Sequence, residues 1–272
     1  MQTHRTAVSL VSDQGVERLP RLSTAHLALA LGGPVAITVA AWIYLAVVAR
    51  DMSAMSSMAM AMPMHPASLG AEQLVGLVVM WVVMMVAMML PTALPMLVTY
   101  ARLRSAEPNA VRLTADVAAF VAGYVAAWSA FGLVATAFQA LLTDYAYLSP
   151  MTMKLGSALV AGAILVAAGI YQWLPWKDAC LGRCRSPIGF LMTAWRDGPA
   201  GAFAMGWRHG LFCVGCCWAL MAILFVAGVM NAFWMAVLAG YMLAEKVVPH
   251  GAAVARAVGV ALVGGGLWMM FP

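Results

Sequence analysis

Apolar residues run along this chain in long blocks separated by short polar segments, and no stretch alternates strictly between the two. Taking roughly 20 consecutive apolar residues as one membrane crossing, the pattern predicts seven helical spans, near 26–49, 73–99, 114–142, 155–174, 209–230, 232–247 and 251–271. The second and third are long enough to tilt, and Pro91 and Pro95 give the second a reason to kink. A transmembrane barrel is disfavoured, because it needs segments of period-two alternation about ten residues long. The expected fold is an all-α, polytopic helical membrane protein of about seven transmembrane helices.

Composition strengthens that picture. Hydrophobic residues make up 64% of the 272 positions and charged residues 9%, against about 25% charged in soluble chains. The net charge of +5 takes its meaning from where the basic residues fall. With the N-terminus inside, every lysine and arginine except Arg50 and Lys154 lies on a cytoplasmic segment, a bias that sets an N-in, C-out orientation. Residues 1–25 are then a cytoplasmic N-terminal segment and 26–271 a single transmembrane domain. That domain carries an outer Met-rich loop at 50–72 and a cytoplasmic Cys-containing loop at 175–208. The first apolar block is too long for a signal-peptide core and reads as an anchor. The expected location is the inner, cytoplasmic membrane, as a multi-pass protein surrounded by membrane lipids.

Sulfur is the compositional oddity: there are 23 methionines, and all five cysteines lie between residues 180 and 217. The outer loop "RDMSAMSSMAMAMPMHP" holds Met52, Met55, Met58, Met60, Met62 and Met64, followed by His65. Thioethers are soft ligands suited to Cu(I), and they need no deprotonation. The bland alternative is a low-complexity linker with methionine as filler. In the second span Met80, Met84 and Met88 share about 80° of helical arc, with Met85 and Met89 on the flank. Such a ladder could pass a soft ion, or it could pack against neighbouring helices.

The stretch "WRHGLFCVGCCWALM" places His209, Cys213, Cys216 and Cys217 at the cytoplasmic start of the fifth span, within an arc of about 100°. Just before it, "CLGRC" sets Cys180 and Cys184 in the inner loop as a C-x3-C pair. One buried cysteine would be an ordinary core residue. Five thiols and an imidazole grouped at one face suffice for a Cu(I) or a Zn(II) site. At the end of the sixth span, Glu245 and Lys246 are either ionisable residues at membrane depth, which tend to be paired, placed in cavities or involved in ion and proton movement, or ordinary interfacial residues of which the basic one snorkels. Asn231 falls where a turn between spans is expected.

The segments "MVAMMLPTALP", "CLGRCRSP", "GWRHGLFCVGCCWALM", "GVMNAFWM" and "EKVVPHG", in that order, resemble the DUF2182 family of predicted metal-binding integral membrane proteins. The resemblance implies roles for Met84, Met88, Met89, Pro91, Cys180, Cys184, Cys213, Cys216, Cys217, Met230, Asn231, Met235, Glu245 and Lys246. It does not extend over the N-terminal Met-rich loop.

Three classes of function follow. In the first, the chain binds a soft metal, Cu(I) before zinc, for transport or for delivery as a membrane metallochaperone, with a soluble metallochaperone as candidate partner. The second is a membrane thiol–disulfide oxidoreductase, against which the outer side offers no cysteine for a relay. The third is a scaffold with a structural metal. No GxxxxGK[ST], GxSxG or HExxH occurs, so no motif points to ATP-driven pumping or hydrolysis. Nothing in the pattern calls for nucleic acid.

Overall fold

A computed structural model describes residues 24–59, 70–104, 109–144 and 155–271, and within them the chain is all-α. The helices are α1 (Thr24–Ala59), α2 (Ala71–Leu103), α3 (Ala110–Asp144), α4 (Ala158–Tyr171), α5 (Pro175–Arg185), α6 (Pro187–Ala194), α7 (Gly198–Ala227), α8 (Ala232–Val247) and α9 (Gly251–Met270). Among the described residues, five helices are long and apolar enough to cross a membrane: α1, α2, α3, α7 and α9. The count rises to six if α4 and α5, bent by 64° at a short break, form one span. The expected sixth span is α8, and its 16 residues fall short of the roughly 20 of a straight crossing.

The segment 175–208, expected as a loop, is instead mostly helical. It contains α5, α6 and the first turns of α7. Proline explains the breaks between them: Pro175 and Pro187 sit in the first turns of α5 and α6, where a missing N–H costs nothing and φ is already set. Read as punctuation, these prolines imply a loop, yet they start short helices that fold back against α7. The fifth span begins at Gly198, well ahead of His209, so the histidine and its cysteines lie mid-helix and not at its mouth. At the 50–72 loop, α1 continues through Ala59. Met52, Met55 and Met58 fall within its bounds, and Met60, Met62, Met64 and His65 lie outside the described residues.

Glycine sets how closely the helices pack. A Cβ on Gly206 would run into the carbonyl of Phe120, and one on Gly123 into that of Phe203. Positions 120 and 124 meet 206 and 210 in turn, so α3 and α7 run parallel, in backbone contact along one stripe. On the other side, Gly162 and Gly169 of α4 face Gly266 and Gly259 of α9, with Cβ-to-carbonyl approaches of 2.6 and 2.8 Å. This pair is antiparallel. Small residues that let backbones touch are the usual basis of helix association in lipid, where hydrophobicity gives no drive.

Pro91 removes the donor that would pair with the carbonyl of Ala87, and the Trp42 indole of α1 supplies the replacement at 2.9 Å. That freed carbonyl therefore ties α1 to α2. The turn between α7 and α8 uses Gly228 at φ +98°, a left-handed conformation that favours glycine. Asn231 then caps α8 by accepting from the Trp234 amide at 3.2 Å, the turn role expected for it.

Candidate metal centre

Two helices bring three thiols together midway along α7. Cys213 stands about 22 Å from the Gly198 end of α7 and about 21 Å from the Ala227 end, at 1.5 Å per residue. From the same helix comes Cys216, and from the last turn of α5 comes Cys184. Among the described residues, the Sγ atoms of Cys184, Cys213 and Cys216 all lie within 4.8 Å of one another, and all three residues are buried. Sulfurs sharing one metal with bonds near 2.3 Å sit about 4 Å apart, so a single soft ion fits between them after little movement. Glycine again permits the approach, since a Cβ on Gly215 would come within 2.8 Å of the Cys180 Sγ and hold α5 away from α7.

The remaining thiols divide. Cys217 donates to the carbonyl of Cys213 at 2.8 Å and lies 4.0 Å from the Met89 thioether on α2, so it links the group of three to the methionine helix. Cys180 is half-buried against Gly215, outside the group. All five cysteines are free thiols. His209 is not part of the group either: it lies one turn before Cys213, among the rings of Phe190, Tyr124 and Phe120 at centroid distances of 5.4, 5.7 and 6.1 Å. Met84, Met88 and Met89 are fully buried on α2. Met230 is half-buried in the turn before α8, and Met235 is buried on α8.

Charge is placed around the thiols with equal care. The Lys246 ammonium donates to the Cys213 Sγ at 2.9 Å and to the Thr92 hydroxyl at 2.8 Å. The Tyr124 hydroxyl lies 3.0 Å from the same sulfur and donates to the Met89 carbonyl. One residue earlier on α8, Glu245 pairs with Lys177 of α5 at 2.5 Å, both almost wholly buried, and Lys177 also donates to Gln172. Glu245 is thus ion-paired with Lys177, and Lys246 is hydrogen-bonded to Cys213 and Thr92, both of them inside the protein.

The sequence does not single out Tyr124, Thr92 or Lys177. Lys177 lies in a segment whose prolines read as punctuation, and Tyr124 and Thr92 are single polar residues inside apolar helices, with no spacing to mark them.

A buried, thiol-lined position thus lies against the Lys246 ammonium, and the comparison with known families agrees with it. A family model described as PpoB2, copper chaperone, matches residues 78–269. The chain belongs to the PpoB2 copper chaperone family. No curated protein and no solved structure matches it. The PpoB2 match begins within α2 and ends within α9, so it takes in every residue of the thiol group and leaves out the methionine tract before α2.

Proposed function

We propose that this protein is a membrane Cu(I) metallochaperone whose cargo site is formed by Cys184, Cys213 and Cys216. The observation that carries the reading is the meeting of these three buried sulfurs from α5 and α7, in a chain of a copper chaperone family. Soft thiolates select Cu(I), and three of them suit it better than the four ligands of a structural zinc site, which leaves zinc the second choice. Lys246 offsets part of the thiolate charge that a monovalent ion leaves over.

On this reading the chain sits N-in and C-out in the inner membrane as a multi-pass protein. The outer tract Met55, Met58, Met60, Met62, Met64 and His65 gathers Cu(I), and Met84, Met88 and Met89 hand it toward Cys217 and the thiol group. The 4.0 Å contact between Cys217 and Met89 supports that route. A soluble metallochaperone takes the ion at the cytoplasmic face. The resemblance to DUF2182 concerns the same cysteine and methionine motifs and fits the same role.

The test is copper content after purification under reducing conditions, normalised to folded protein. A Cys184→Ser, Cys213→Ser, Cys216→Ser variant is expected to keep less than about a tenth of wild-type copper, since a hydroxyl is a poor soft ligand. Cys180→Ser is expected to keep nearly all of it. Full copper in the triple variant would remove the proposed site.

A further inference from the structure

The thiols of α7 belong to a longer series. Met205, His209, Cys213, Cys217 and Met221 follow one another at intervals of four residues, and each of them is buried, with no more than 2% of its surface exposed. Residues four apart on a helix are neighbours on one face, so five soft or borderline donors form a continuous ridge about 24 Å long at 1.5 Å per residue. Cys217 already meets the methionines of α2 through Met89. That contact places the α2 ladder on the Ala227 side of the thiol group. On the Gly198 side, the ridge holds His209 and Met205.

A second and independent observation singles out His209. Its Nδ1 is buried and has no hydrogen-bond partner among the described residues. Buried polar atoms are normally paired, and an unpaired one calls for an explanation such as an absent ion. Three aromatic rings close in on the imidazole. One of them, Tyr124, touches the Cys213 sulfur as well, so the imidazole and the thiol group share a wall. Imidazole and thioether are both ligands that Cu(I) accepts.

We propose that His209 and Met205 form a second Cu(I) position on α7, through which the ion passes between the thiol group and the Gly198 end. This rests on the cargo site proposed above and adds a step to it. As the ion moves, metal–thiolate bonds break while a metal–nitrogen and a metal–thioether bond form. Copper stays Cu(I), no electron is transferred, and the vacated thiolates take up protons from the aqueous side. A pair of neutral ligands holds the ion less tightly than thiolates do, as a passing position requires.

The experiment uses the full chain in lipid nanodiscs, loaded with one Cu(I) per protein, and follows release to a water-soluble Cu(I) chelator. Met205→Leu conserves volume and His209→Phe keeps a ring in the aromatic box. Each is expected to slow release by ~10-fold or more, the lower end of what loss of a metal-tuning group costs, with loaded copper unchanged. Release within twofold of wild type at full loading would overturn the second position and leave the thiol site standing. Loss of loaded copper in His209→Phe would make the histidine a ligand of the thiol group itself and also overturn it. A wild-type chain that takes up no copper overturns both readings.

Discussion

Replacing Lys177 with methionine is expected to destabilise the folded protein by about 3–5 kcal/mol, because it strands a buried carboxylate. Lys177 and Glu245 face each other at 2.5 Å with 0% and 2% of their side chains exposed, and they tie α5 to α8. Removing both charges is a different matter, since a buried pair exchanged for apolar residues of similar volume is often neutral. Lys177→Met with Glu245→Leu should therefore recover most of the loss. Denaturant unfolding of the purified protein in detergent would read both variants. Equal destabilisation in the single and double variants would mean that Lys177 acts through packing and not through charge.

The second large effect concerns Lys246. Its ammonium contacts the Cys213 sulfur at 2.9 Å and Thr92 at 2.8 Å, so it supplies the positive charge that a cluster of thiolates around a monovalent ion needs in a medium without water. Lys246→Met should weaken Cu(I) affinity about 10–100-fold, the usual cost of removing an outer-shell partner. Lys246→Arg, which keeps the charge but not the compact ammonium, should lie between the two. Competition against a Cu(I) chelator measures all three proteins. An unchanged affinity in Lys246→Met would show that the thiols bind metal without that charge.

Much of the fold was legible because lipid permits few solutions: long apolar blocks had to be helices, and α1, α2, α3, α7 and α9 follow from them. Short helices were harder. α5 and α6 have 11 and 8 residues and begin with proline, a residue that signals a break and a helix start alike. Since α5 carries Cys184, the segment hardest to read is also the one that completes the thiol group. The helical arc correctly put Cys213 and Cys216 on one face, but it could not separate His209 and Cys217 from them. That division depends on which neighbour each side chain meets: three aromatic rings for His209 and the Met89 thioether for Cys217. The four-residue series from Met205 to Met221 was visible in the sequence all along. It gains meaning only with the burial of every member.

If Cys184, Cys213 and Cys216 together hold the cargo ion, copper X-ray absorption on the chain loaded with one Cu(I) should show a first shell of sulfur alone in the wild type, with sulfur scattering reduced in Cys184→Ser. A shell dominated by nitrogen or oxygen, or a sulfur shell that Cys184→Ser leaves intact, would mean that these three thiols do not hold the ion.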